Sequence, residues 1–179
     1  KEFVKKGGDL EGIQLWLNLP AKDKMMTPNY QHLEEKQIPK LFTDDKKVQL
    51  NIIAGNQLEE TGLIKTQTEV NVFTANADEN GQMEIEIPEN HQSLIYLLDG
   101  EVLVNDLEVL KKSENQMITF NQDGTSIHFQ AKKKSTLLIL SGKPINEKIK
   151  QYGPYVMNTQ TEILEAMRDF NQGKMGYLY

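Results

Sequence analysis

From Val48 to Ser141 the chain is a succession of short apolar segments broken by turn signals, and this pattern leaves little choice of fold. The segments are VQLNIIAG (48–55), EVNVFTANA (69–77), MEIEIP (83–88), SLIYLLDG (93–100), EVLVN (101–105), LEVL (107–110), QMITF (116–120), TSIHFQA (125–131) and STLLILSG (135–142). Each is strand length, and several alternate apolar and polar residues with the period of two that puts one face in a core. Asp99-Gly100 is a two-residue hairpin signal, and Asn105-Asp106 turns the chain again. Strands this short, with turns at this spacing, predict an all-β, antiparallel sandwich or small barrel.

Both flanks differ from this middle. After Gly142, YGPYVMN (152–158) reads as a turn-containing loop, and Thr159 opens a helix. Thr159 and Glu162 have capping-box spacing. Ile163, Met167 and Phe170, with Leu164 and Ala166, form an apolar helical stripe, and Gly173 is the expected stop. Near the start, IQLWLNL (13–19) reads as a strand arm with Ile13, Leu15, Leu17 and Leu19 on one face, ended by Pro20. Residues 21–40 are polar and turn-rich. A strand finishing so early, in a chain that opens on Lys1, suggests an expected upstream domain. The expected division is therefore 1–20 as the terminal strand segment of that upstream domain, 21–46 as an interdomain linker, and 47–179 as one domain carrying the helix.

Composition removes several chemistries. With no Cys there is no disulfide, thiolate nucleophile or Cys-type zinc site, which leans toward a cytoplasmic protein. No apolar run is long enough to span a bilayer, so no membrane role is expected. The net charge is −6, and Arg168 is the one arginine among 20 basic residues. Direct nucleic-acid binding, which needs clustered cations and bidentate arginines, is not expected.

The residues that could carry chemistry are sparse. His32, His91 and His128 stand apart, with no HxH or HExxH, and no GxGxxG, P-loop or GxSxG occurs. PENHQSLIYLLDGEV (88–102) resembles the first motif of the cupin barrel, with YLLDG (96–100) matching its strand and turn. In that resemblance the metal-ligand positions fall at Ile87, Glu89 and Ser93, and His91 is offset from them. Gly124-Thr125-Ser126 fits the turn of the second cupin motif, where the ligand position holds Ile127. His128 is one residue further along and so faces the other way. The histidines are expected at the surface or rim. Glu84 and Glu86 read as the solvated face of a strand, Lys132-Lys133-Lys134 as a hairpin turn, and Trp16 as a packing anchor. No catalytic, cofactor-binding or metal residue is assigned on this chain.

Two longer motifs carry a family resemblance. QLWLNLPAKDKMMTPNYQ (14–31) resembles the interdomain segment of the pirin family, and YGPYVMNTQTEILEAMRDFNQGKMG (152–176) resembles its C-terminal signature. The resemblance implies a two-cupin protein of which this chain is the C-terminal half: a cupin-type (jelly-roll, double-stranded β-helix) barrel with an N-terminal strand arm and a C-terminal helix. It also implies iron in the intact protein, held by three His and one Glu of an upstream cupin domain, and none in this chain. The activity so implied is quercetin 2,3-dioxygenase-like. The alternatives are a transcriptional cofactor or protein-interaction module of the pirin type, and a single-cupin small-molecule-binding protein. The expected partner of the 13–19 arm is the upstream domain, the edge of this barrel, or a second copy of the chain in a homo-oligomer.

Overall fold

The computed structural model describes residues 6–8, 11–114 and 116–176. The chain divides into two units: Met25–Asn146, and Lys1–Lys24 with Glu147–Tyr179.

In the first unit, β1 (Lys40–Phe42), β2 (Val48–Ala54), β5 (Val70–Ala77), β7 (Gln92–Asp99), β10 (Met117–Thr119) and β12 (Ser135–Gly142) form a six-stranded antiparallel sheet in the order β1-β2-β5-β12-β7-β10. A second sheet takes β6 (Gln82–Glu86), β8 (Glu101–Val104), β9 (Glu108–Lys111) and β11 (Ser126–Ala131) in the order β6-β11-β8-β9. β3 (Asn56–Gln57) and β4 (Glu60–Thr61) pair with each other as a separate two-stranded ribbon.

Period-two alternation decides which side chains meet between the sheets: β2 buries every second residue from Val48 to Ala54. Register then aligns Ile52, Phe73, Ile139 and Ile95 as one inward row across four neighbouring strands. From the other sheet, Ile85 with Ile127 and Phe129 with Val104 join the same core. Each such side chain taken out of water contributes about 1.5–3 kcal/mol.

The expected hairpin at Asp99-Gly100 is corrected. β7 pairs with β12 and β10, whereas β8 pairs with β11 and β9, so Gly100 is the corner at which the chain leaves one sheet for the other. Its φ is +96°, and a Cβ there would lie 2.2 Å from Ser135 Oγ and 2.4 Å from the Lys134 carbonyl oxygen. The Glu101 N–H donates to Ser135 Oγ at 3.0 Å and seats the corner. Asn105-Asp106, with φ of +48° and +56°, does form the tight turn between β8 and β9.

In the second unit the expected strand at 13–19 does not form: these residues carry no ladder hydrogen bonds. An alternating apolar run becomes a strand only with a neighbour to bond, and no described residue supplies one. Trp16, expected as an anchor, is 80% exposed. The residues around Pro20 are tied down. Lys24 Nζ donates to Asn18 Oδ1 at 2.5 Å and to the Val156 carbonyl at 3.1 Å, and the Ala21 N–H donates to Glu147 Oε2 at 2.7 Å.

The loop expected at 152–158 is instead a hairpin, β13 (Lys150–Tyr152) with β14 (Tyr155–Met157), turning at Gly153-Pro154. Helix α1 (Gln160–Asn171) begins at the expected capping box. Thr159 Oγ1 accepts from the Glu162 N–H at 3.3 Å, and Glu162 Oε2 accepts from the Thr159 N–H at 2.7 Å. The helix buries Ile163 and Ala166. Leu164 stays exposed, and Phe170, also exposed, meets Tyr155 edge-on at 6.5 Å.

Candidate functional site

At one end of the six-stranded sheet the interior changes character. One inward step along each strand from the row of Phe73, Ile139 and Ile95, the positions are Asn71 on β5, Ser141 on β12 and Ser93 on β7. All three are buried, and His91 joins them at 4% exposed. Polar groups out of water must find partners, and here Asn71, Ser141 and His91 form a chain. Asn71 Oδ1 accepts from the Asn56 N–H at 3.1 Å, Asn71 Nδ2 donates to Ser141 Oγ at 3.0 Å, and Ser141 Oγ lies 3.1 Å from His91 Nδ1. Local turns set the two ends. The His91 N–H donates to the Pro88 carbonyl at 2.9 Å, closing the turn that feeds β7. Gly55, at φ +84°, lets the end of β2 pass close against Asn71.

The other ring nitrogen of His91 has no hydrogen-bond partner. Glu69 Oε2 stands 4.0 Å from it, beyond hydrogen-bond reach, while Glu69 Oε1 lies 3.5 Å from Lys143 Nζ. Burial pushes the His91 pKa below the ordinary histidine value; Glu69 opposes that shift and Lys143 adds to it. The ring is therefore neutral near pH 7.

A cavity of about 430 Å3 reaches the polar row at Ser93 and His91. His91 and Ser93 line it together with Ile87, Ile118, Phe120 and Ile127. Ile87, Ser93 and Ile127 are three positions at which the cupin resemblance places metal ligands, and all three are buried. Glu89, at the remaining position, is exposed. These positions do not fit a metal: two hold isoleucine, one a serine hydroxyl, and the one carboxylate among them is exposed. Among the described residues no group of three or more His, Cys, Asp or Glu is placed to hold an ion.

The expectation for His91 is thus corrected: it is an interior residue. Counting back by two from Leu97 and Ile95 through Ser93 reaches position 91, so its inward placement was readable from the strand period. His128 is half-buried, while its neighbour Ile127 faces the core as expected. Its backbone N–H donates to Asn105 Oδ1 at 2.9 Å. His32, Glu84, Glu86 and Lys132-Lys133-Lys134 are exposed, and none of them lines the cavity. Ser126 Oγ donates to Glu84 Oε1 at 2.6 Å, and Lys133 Nζ pairs with Glu101 Oε2 at 2.9 Å.

A two-sheet antiparallel jelly roll whose interior turns polar at one mouth is the architecture of a cupin. Residues 72–176 match the pirin C-terminal cupin domain, and the chain belongs to the pirin family. It is 32% identical to human pirin over 93% of this chain and 57% of that protein, and 32% identical to a tomato pirin-like protein over 95% and 58%. The crystal structure of quercetin 2,3-dioxygenase from Acinetobacter baumannii matches at a TM-score of 0.84 with 36% identity, covering 92% of this chain and 56% of that one. The chain thus spans a little over half the length of these relatives. No described helix is long and apolar enough to cross a membrane.

Proposed function

We propose that this chain is the metal-free partner barrel of a pirin-like two-cupin oxygenase whose reaction centre, an iron site, lies on residues outside this sequence. The observation that carries the reading is the occupancy of the cupin ligand positions, where Ile87, Ser93 and Ile127 line the cavity in place of histidines and a carboxylate. The similarity to a quercetin 2,3-dioxygenase supports flavonols as the substrate class. The apolar side chains of the 13–19 arm support a role in joining the two domains. Ile13, Leu15 and Leu17 are about half exposed and Trp16 more so, a patch suited to burial against another domain.

The test compares the full-length gene product with the 179-residue chain. Transition-metal content is measured by mass spectrometry, and quercetin consumption is followed under oxygen. The full-length product is expected to carry iron and consume quercetin, and the 179-residue chain to do neither. A stoichiometric metal on the 179-residue chain, or quercetin turnover by it, would overturn the proposal.

A further inference from the structure

We propose that the open edge of β6 in the Met25–Asn146 unit is a docking site for an extended segment of a partner protein in which aliphatic residues alternate with Lys or Arg. The inference does not depend on where the reaction centre lies.

The ladder fixes which backbone groups are offered. β6 ends its sheet and pairs there with β11 alone. The Ala131 N–H donates to the Gly81 carbonyl and the Ile87 N–H to the Thr125 carbonyl, each at 2.8 Å. In an antiparallel pair the bonded positions alternate. Met83 and Ile85 therefore bond to β11, and the N–H and C=O groups of Gln82, Glu84 and Glu86 point to the open side. The molecule itself shows what such groups take as a partner. The carboxamide of the buried Gln57 reaches Glu86: its oxygen accepts from the Glu86 N–H at 3.1 Å and its nitrogen donates to the Glu86 carbonyl at 3.3 Å. One side-chain amide thus stands where the peptide group of an added strand would stand, and Glu84 and Gln82 continue the row.

Beside that edge the surface is hollow. A cavity of about 380 Å3 is lined by Leu41 and Phe42 of β1, by Leu58, and by Met83 and Glu84 of β6. A second, of about 780 Å3, shares Gln57, Leu58 and Glu84 with it and continues past Glu86 to Pro88. Leu41 and Met83 pack against the core, while Phe42 and Leu58 are exposed. Leu58 holds its place at a φ of +50°, a region that bulky side chains avoid. In an added strand every second side chain would lie on the inner face beside Met83 and Leu41, where aliphatic groups fit.

Charge selects the other half of the alternation. Gln82, Glu84 and Glu86 put their side chains on the exposed outer face, and the residues opposite them in an added strand stand there too. Asp44, Glu84 and Glu86 are the charged residues among the described ones that line the two cavities. Lys or Arg on that face is met by carboxylates, whereas Asp or Glu is repelled. The same carboxylates oppose edge-to-edge pairing with β6 of a second copy.

The test titrates the isotope-labelled 179-residue chain with a short capped peptide of alternating valine and lysine. A valine–glutamate peptide and a valine–lysine peptide interrupted by proline are the controls. The valine–lysine peptide is expected to shift the Gln82 and Glu84 amides and the Leu41 and Met83 methyl groups saturably, in about the millimolar range or below, and the controls should not saturate. Glu84→Pro removes an N–H from the open side and none from the β11 ladder, so it should weaken binding roughly tenfold. Glu84→Lys keeps the edge backbone and reverses the charge, so it should weaken the valine–lysine peptide and admit the valine–glutamate one. No saturable shift at Gln82 and Glu84, equal binding of the glutamate control, or binding that neither substitution alters overturns the proposal. Shifts of the same amides on concentrating the chain alone would make a second copy the occupant. Failure of the full-length gene product to bind the peptide would make its additional residues the occupant. Either result overturns the proposal as well.

Discussion

Gly55 is where the backbone and the polar row depend on each other most directly, and Gly55→Ala tests that dependence. Its φ of +84° lies in the left-handed region, where a Cβ costs about 1–2 kcal/mol. That Cβ would also stand 2.0 Å from Asn71 Oδ1, 2.5 Å from the Val70 carbonyl oxygen and 2.8 Å from Asn71 Cα. The Asn71 side chain can swing away only by surrendering its bonds to the Asn56 N–H and Ser141 Oγ, each a net loss of about 0.5–1.5 kcal/mol. The other two contacts are backbone of β5, which is held by ladders to β2 and β12, so overpacking adds about 1–3 kcal/mol. The expected loss is on the order of 3–8 kcal/mol, a large part of a typical domain's stability. Urea denaturation followed by far-UV circular dichroism is the assay. Tryptophan fluorescence would misreport, because Trp16 is exposed and belongs to the other unit. Gly124→Ala, where a Cβ meets nothing within 4 Å, should change stability by less than about 0.5 kcal/mol. Adding Asn71→Ala to Gly55→Ala should give little rescue, since the backbone contacts persist. A Gly55→Ala loss below about 1 kcal/mol, or full recovery in the double variant, would refute the reasoning.

Local chemistry sets two further outcomes. Thr159→Ala should cost about 1 kcal/mol and speed amide exchange at Glu162 and Ile163, because it removes the hydroxyl that caps the helix. The Glu162 carboxyl is held below the usual range first by the Thr159 hydroxyl and then by the backbone N–H groups of Thr159 and Asn158. Its contribution is therefore present above the ordinary glutamate value and lost as pH falls through the lowered one. The sign for His91 comes from its lowered pKa: below the ordinary value of 6.5 the unfolded chain takes up a proton that the folded ring does not. Stability should thus fall as pH drops from 6.5, and denaturation of His91→Gln across the same range should lack that part of the slope.

Most of the strands were legible because period-two patterning and turn chemistry agree along them. Asn105-Asp106 turns where its residues tolerate positive φ. Asp99-Gly100 carries the same kind of signal yet serves as a corner, because pairing is decided by what β7 and β8 find across the interior, not by the two residues between them. The 13–19 run shows the converse. Its alternation is as clear as that of β2, but alternation describes a face and not a partner. The short strands β1, β3 and β4 have too few residues to establish a period. At the candidate site, Ile87, Ser93 and Ile127 were legible through motif spacing. The inward placement of His91 was hidden by its offset from the ligand positions, although its phase with Ser93, Ile95 and Leu97 carries it.

That phase places a polar row where an apolar core could have continued. A barrel with no use for its mouth gains most by extending the row of Phe73, Ile139 and Ile95 with more apolar side chains, each contributing about 1.5–3 kcal/mol. Here the next inward positions are Asn71, Ser141 and Ser93, with His91 above them. Desolvating such groups is unfavourable, and their mutual hydrogen bonds offset that cost only where both partners are met. Asn71 and Ser141 meet that condition through Asn56 and through each other. His91 meets it at Nδ1 and fails it at Nε2. Ile87 and Ile127 make their part of the cavity lining apolar, while Ser93 and His91 keep the part beside them polar. The unmet nitrogen of His91 is thus the weak point of an otherwise satisfied polar row.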